Sequence, residues 1–317
     1  MHAVFLDKQT FSSTIDFTAI EQQVTQLVCY ANTSPSEIIA RCLDADIIIT
    51  NKVQLTAEML AALPNVKLIC ISATGYNNVD IDAASHLNIA VTNVSGYAGQ
   101  PVAQYVFPQL LEYFQQTNHH NSNTEQGLWS SNDTFCYHGN SISELAGKTL
   151  GIIGYGSLGK AVATIAQAFN MKVLISERPQ ASTVRVERVS FEQVIEQADI
   201  ISLHCPQTTE TQNFINENVL SRMKNTAVLV NTARGALIDE SALLNALKTK
   251  EIAYAILDVL SQEPPAADHL LLHNQLSNLK ITAHIAWASR EAQQRLIDLL
   301  SQNIKAFIQG ERLNRLA

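Results

Sequence analysis

The sequence is sparing with charge, aromatics and cysteine, and several patterns are missing outright. Charged residues make up 16% and aromatic residues 6% of 317 positions. There is no run of Lys and Arg, and the formal net charge is −8. A nucleic-acid backbone is therefore not an expected partner, because binding one needs clustered cations. No apolar stretch is long enough to span a bilayer, so no membrane partner is expected either. The opening MHAVFLDKQT has no basic segment leading into an apolar one, and a secretory signal is not expected. The five cysteines, at 29, 42, 70, 136 and 205, are odd in number and form no C-x-x-C pair. That argues against a disulfide framework or a zinc site and fits reduced thiols in a cytoplasmic protein.

What the chain does have is a hydrophobic fraction of 46% and an alternation of short apolar runs with helical patterns. This alternation signals β-α-β units and parallel sheets, and the length suggests two domains. A first series of apolar runs lies at 3–6, 46–50, 67–72 and 89–92, with helical patterns at 56–63 and 80–86. A polar passage at 115–143 follows, and its composition predicts an exposed connection or an arm that packs on a partner. His119 and His120 lie in that passage and are read as solvated, so no metal is expected. A second series has runs at 149–153, 172–175, 199–203, 227–231, 253–258 and 279–282. Six such runs with helix-length spacers match a dinucleotide-binding sheet. Residues 289–308 carry an amphipathic helical pattern that could dock on either domain.

The strongest local signal is TLGIIGYGSLG at 149–159, in which Gly154, Gly156 and Gly159 form G-x-G-x-x-G. It follows an expected strand and opens an expected helix, which is the context the fingerprint requires. Gly154 permits the tight turn, Gly156 lets a pyrophosphate approach the backbone, and Gly159 lets the helix pack close. The helix N-terminus then offers N–H groups and a favourable dipole to phosphates. The second strand ends in Ser176-Glu177-Arg178. Glu177, about 20 positions beyond the glycines, can accept from an adenosine ribose and repel a 2′-phosphate, which favours NAD. Arg178 beside it could instead hold a 2′-phosphate, so NADP stays open.

Ligands of doubly wound sheets sit outside the carboxyl ends of the strands. Three of those ends are followed by Arg234, Glu263 and His284. This set suits reduction of a 2-keto acid. Arg234 can grip a carboxylate with a planar, two-pronged contact. His284 can give a proton to the carbonyl oxygen, or take one in the reverse direction. Glu263 can bond the other imidazole nitrogen and orient the ring. Asp258, at its strand end, could bond a nicotinamide amide.

The same segments resemble the D-isomer-specific 2-hydroxyacid dehydrogenases. The resemblance runs through ISATGYNNVD (71–80), VTNVSGYAGQPVAQYVF (91–107), GKTLGIIGYGSLGK (147–160), ADIISLHCPQT (198–208), VLVNTARGALIDE (228–240), LDVLSQEPP (257–265) and TAHIAWAS (282–289). HIAWAS and SERP are most similar to the hydroxypyruvate reductases, also called glycerate dehydrogenases. The resemblance implies two doubly wound parallel-sheet domains, a Rossmann dinucleotide-binding domain (99–287) inserted into a flavodoxin-like substrate domain (1–98 and 288–317). It implies Arg234, Glu263 and His284 as the catalytic set, and the N–H groups around Ala73, Thr74 and Gly75 as the substrate-carboxylate site. Cofactor contacts would come from Val102, Tyr155, Ser157, Leu158, Cys205, Pro206, Thr232, Ala233, Asp258 and His284, alongside the glycines. It further implies a homodimer built through residues 100–135. Ala233 and Ala283 stand where Gly and Pro are common in the family. The rival expectation is a non-catalytic dinucleotide sensor that binds a protein partner.

Overall fold

The computed structural model describes every residue, Met1–Ala317. The chain divides into two compact units, residues 1–98 with 287–317, and residues 99–286.

The first unit is built on a five-stranded sheet of β1 (His2–Phe5), β2 (Gln26–Cys29), β3 (Ile47–Thr50), β4 (Leu68–Ile71) and β5 (Ala90–Thr92). The order is β2-β1-β3-β4-β5 and every pairing is parallel, which is the flavodoxin-like arrangement. The central strands IIIT and LICI are buried along their whole length, as strands covered on both faces must be. β2 has no counterpart among the expected runs. It is a half-exposed edge strand of four residues, QLVC, too short and too mixed to stand out as an apolar run. The helix Arg290–Ile308 belongs to this unit. Ser289 caps it by accepting from Ala292 N–H, and Leu296, Ile297, Leu300 and Ile304 are fully buried, each contributing roughly 1.5–3 kcal/mol. Polar bonds also tie it to the first hundred residues: Ser12 N–H to Gln293, Ser301 hydroxyl to Ala19 C=O, and Asn303 to Asn93 C=O.

The second unit holds six parallel strands: β6 (Thr149–Ile153), β7 (Lys172–Ile175), β8 (Ile200–Leu203), β9 (Val228–Asn231), β10 (Tyr254–Leu257) and β11 (Leu279–Ile281). Their order is β11-β10-β9-β8-β6-β7. On the β7 side this sheet has one strand fewer than the usual dinucleotide-binding order. In its place runs an irregular segment, residues 178–189, joined to the sheet by the bridge Ser176–Val189. The polar passage after Gln115 corrects an expectation, because it is not all connection. A helix Thr117–Glu125 follows the helix Gly99–Gln115, with Gln116 left-handed at φ +49° between them. Asn123 is buried there and donates to His119 Nε2 at 3.1 Å. Side-chain pairs four residues apart, Asn123 with His119 and Asn121 with Glu125, add support to the helix in this turn-rich sequence.

Register puts the working edge of this sheet in one line. Ile153 pairs with Leu203, Leu203 with Asn231, Asn231 with Leu257, and Leu257 with Ile281. The residues that follow these five strands therefore leave the sheet at one level.

Candidate active site

The glycine turn leaves β6 at that edge. Gly154 has φ +98°, and a Cβ there would lie 2.4 Å from Cys205 N. A Cβ on Gly159 would meet Gly154 O at 2.2 Å, whereas one on Gly156 would meet nothing within 4 Å. Two glycines are thus demanded by close packing and the third faces open space, as a phosphate approaching the backbone needs. The helix Ser157–Ala168 starts directly after it. At the end of β9 the Thr232 hydroxyl is buried without a protein partner. A buried hydroxyl left unpaired is costly unless a ligand or water satisfies it. These residues fit a dinucleotide. Cys205 lies beside the glycine turn, and burial pushes its thiol up to about 11, so it stays neutral. Burial likewise drives the neighbouring His204 down to about 4, so its ring adds no charge.

The end of β7 differs from the sequence reading. Glu177 was expected to present its carboxylate to a ribose. Instead the side chain is 4% exposed and closed by its own loop. Arg185 Nη2 lies 2.5 Å from Oε1 and Arg185 Nε 2.7 Å from Oε2, with Arg178 N–H on Oε1 at 2.9 Å. Arg188 stands 3.9 Å away. The hydrogen bonds from Arg185 and Arg178 hold the Glu177 carboxyl well below the usual range. The irregular segment that replaces a strand is what brings these guanidinium groups over β7. Arg178 itself is exposed.

The next three strand ends carry the candidate chemistry. Asn231, fully buried, accepts from Ala233 N–H at 3.0 Å and donates to Arg234 C=O at 2.8 Å. It brackets the turn that presents Arg234, whose Nη1 donates to Ala233 C=O at 2.6 Å. Gly235 follows, and a Cβ there would lie 1.9 Å from the carbonyl carbon of Leu260. The turn bearing Arg234 therefore rests directly on the loop bearing Glu263. Glu263 accepts from Leu260 N–H on Oε1 at 3.0 Å, and its Oε2 lies 2.7 Å from His284 Nδ1. A carboxylate can only accept, so Nδ1 carries the proton. His284 is left-handed at φ +53°, a conformation that costs a β-carbon residue of order 1–3 kcal/mol and is concentrated at functional sites.

Asp258 holds that conformation. Its C=O accepts from His284 N–H at 2.7 Å, and its carboxylate accepts from Ile285 N–H, Ala286 N–H and the Thr282 hydroxyl. Tyr105 bonds the same hydroxyl. With the side chain 1% exposed, Asp258 first organises the turn around His284. Val102 lies buried in the helix Gly99–Gln115. In the other unit, residues 73–75 follow β4. Ala73 C=O accepts from Val94 N–H, Thr74 hydroxyl donates to Val94 C=O, and Asn93 donates to Thr74 C=O. The loop is pinned through its oxygens, and its N–H groups are not spent on the protein.

The sequence profile of the D-isomer specific 2-hydroxyacid dehydrogenase NAD binding domain matches residues 107–286. The chain belongs to this family. It is 40% identical over 313 residues to a glycerate dehydrogenase of Methylorubrum extorquens, covering 98% of this chain and 97% of that one. It is 38% identical over 285 residues to a hydroxypyruvate reductase of Blautia hydrogenotrophica, covering 89% and 88%. Among solved structures, the acyclic imino acid reductase Bsp5 in complex with NADPH and D-Arg superposes with a TM-score of 0.86 at 29% identity, over 100% of both chains. The dehydrogenase thus has two parallel-sheet α/β units, of which the second contains the NAD binding domain. No helix is long and apolar enough to cross a membrane.

Sequence reasoning missed Asn231 and Thr282, which position Arg234 and the His284 turn. Asn231 sits as the last residue of an apolar run, VLVN, where a polar side chain is out of place. That was the available signal.

Proposed function

We propose that this dehydrogenase reduces a small 2-keto acid, hydroxypyruvate or glyoxylate, to the D-2-hydroxy acid, and catalyses the reverse oxidation. The observation that carries the reading is the 2.7 Å contact of His284 Nδ1 with Glu263 Oε2, on a loop seated against the Arg234 turn. A bound nicotinamide supplies or takes the hydride. The protein supplies the rest. With Nδ1 held as a donor to Glu263, Nε2 is the nitrogen that changes protonation. His284 gives its Nε2 proton to the carbonyl oxygen during reduction and takes it back during oxidation. Glu263 stabilises the imidazolium form and fixes ring orientation. Arg234 binds the substrate carboxylate and polarises the adjacent carbonyl. In the first unit, the N–H groups of residues 73–75 are donors for a carboxylate.

In this reading residues 99–286 bind the dinucleotide, and residues 1–98 with 287–317 bind the substrate. Gly154, Tyr155, Gly156, Ser157, Leu158 and Gly159 cradle the pyrophosphate, with Cys205, Pro206, Thr232, Ala233 and Val102 bordering the rest. NAD is the cofactor, and the arginines over Glu177 admit NADP. The enzyme is cytoplasmic and a homodimer, the exposed Trp129 and Phe135 of its polar arm being covered by a second copy.

The test is a matched panel of hydroxypyruvate, glyoxylate and pyruvate with NADH and with NADPH, read by loss of reduced-nicotinamide absorbance. Turnover of hydroxypyruvate or glyoxylate is expected. No turnover of any of them with either cofactor would overturn the reading in favour of a dinucleotide sensor.

A further inference from the structure

The loop that carries Glu263 is gripped from a second direction by a carboxylate that has no place in the chemistry above. Glu240 is the first residue of the helix Glu240–Thr249, whose N-cap is Asp239. Its side chain is 10% exposed. It accepts from Ser261 N–H at 2.8 Å, from the Ser261 hydroxyl at 2.7 Å, and from His269 Nε2 at 3.1 Å. The proton on His269 can be placed. Its Nδ1 accepts from Leu271 N–H at 3.3 Å, so Nε2 is the protonated nitrogen and points at Glu240. A second imidazole–carboxylate pair, 8% and 10% exposed, thus stands behind the first.

The two pairs are joined through one short stretch of backbone. Ser261 is fixed to Glu240 by both its N–H and its hydroxyl. The peptide between Leu260 and Ser261 rests on Gly235, where a Cβ would reach Ser261 N at 2.2 Å. Leu260 N–H in turn donates to Glu263 Oε1, leaving Oε2 to His284. A carboxylate this buried is expensive to desolvate. The first turn of a helix and three donors offset that cost. A turn that only had to close could do so with neutral groups.

We propose that Glu240 is a positioning residue for the reaction: acting through Ser261, it fixes the loop that aims Glu263 at His284 Nδ1. The inference rests on the roles given above to Glu263 and His284. Its logic is preorganisation, since misplacing a catalytic group by about 1 Å can cost on the order of a hundredfold in rate.

The experiment compares wild type, E240A, E240Q, E263Q and the double variant E240A/E263Q. Hydroxypyruvate reduction gives kcat and KM, fluorescence titration gives NADH affinity, and thermal melting confirms folding. E240A should lower kcat by roughly ten- to a hundredfold, with NADH affinity within about twofold of wild type. E240Q keeps an acceptor for Ser261 N–H and should recover most of that loss. E240A should add little to E263Q, because both act through the same contact. E240A at wild-type kcat would overturn the proposal. So would full additivity of the two losses, or NADH affinity falling in step with kcat. If E240A does not fold, S261A, which removes the hydroxyl that Glu240 holds, carries the same cycle with E263Q. An inactive wild type would instead sink the functional reading itself.

Discussion

Arg185 grips Glu177 with two nitrogens, one on each carboxylate oxygen. At the end of the strand after the glycine turn, an acidic residue usually binds the ribose 2′-hydroxyl and excludes a 2′-phosphate. Here that acid is already paired, and Arg178 and Arg188 add positive charge around it. Removing Arg185 returns a full negative charge to the rim and removes a cation. R185A should therefore lower the NADPH-to-NADH ratio of kcat/KM by roughly tenfold, the equivalent of about 1.4 kcal/mol. Steady-state kinetics with both cofactors at fixed hydroxypyruvate checks this. An unchanged ratio would mean the guanidinium pair has no part in cofactor choice.

The same pair makes stability depend on acid. The folded-state pKa of Glu177 is depressed, chiefly by hydrogen bonds from Arg185 and then from Arg178. A depressed carboxyl binds fewer protons folded than unfolded, so the stabilisation is complete above the ordinary glutamate pKa, about 4.3. It is lost as pH falls below that value toward the folded pKa. E177Q cannot lose it, having none. Melting temperatures of wild type and E177Q should differ most at neutral pH and converge under acid. A constant difference down to about pH 3 would contradict the linkage.

His284 and Glu263 predict a separation of rate from binding. H284Q keeps a polar ring-sized group but cannot shuttle a proton, and kcat should fall about 10²–10⁴-fold. NADH affinity should stay within roughly a factor of two, because the glycine turn is untouched. E263Q replaces an acceptor-only carboxylate with an amide that cannot stabilise an imidazolium, so its loss should be smaller and of the same kind. For wild type, reduction consumes a proton at each turnover, so its rate should fall as pH rises. The oxidation rate should rise over the same range. Flat profiles in both directions would remove His284 as the proton carrier.

Much of this was legible in the chain because the second unit repeats one device. Each central strand is a short apolar run, and each is followed by the polar residues that leave the sheet at one edge. The register row from Ile153 to Ile281 brings the residues after those strands to one level, and the chain order alone already marks Arg234, Glu263 and His284 as candidates. The resemblance to a known family named the same residues. Three features were not legible. β2 is a short half-exposed edge strand without a clear apolar run. The helix Thr117–Glu125 forms in a sequence that propensity assigns to a connection. The pairing of Glu177 with Arg185 depends on a segment that folds over β7 with no regular structure, and spacing carries no information about such a path.

Gly235 gives a prediction about backbone contact alone. A methyl group there would lie 1.9 Å from the carbonyl carbon of Leu260 and 2.2 Å from Ser261 N. Both are backbone atoms, so no side chain can swing away. G235A must displace the Glu263 loop from the Arg234 turn. The stability cost should be about 1–3 kcal/mol, as for other overpacked sites, with kcat falling at least as far as in E263Q. Chemical denaturation and steady-state kinetics measure the two effects. A fully active, equally stable G235A would show that the turn and the loop are not in the contact described.

The arm after Glu125 tests the proposed assembly. Phe135 is 91% exposed and Trp129 49% exposed, a poor use of aromatic surface for a chain that stays single. In a homodimer these rings become buried anchors, and central aromatic anchors are worth about 2 kcal/mol or more each. Placing a carboxylate at such an anchor adds a desolvation cost to the lost contact. F135D should therefore weaken dimerisation by at least roughly thirtyfold, which light scattering across a dilution series can follow. The fold should survive, since Phe135 packs on little of its own chain. A wild-type protein that scatters as a monomer at every concentration would remove the second copy. A dimer indifferent to F135D would place the interface elsewhere on the molecule.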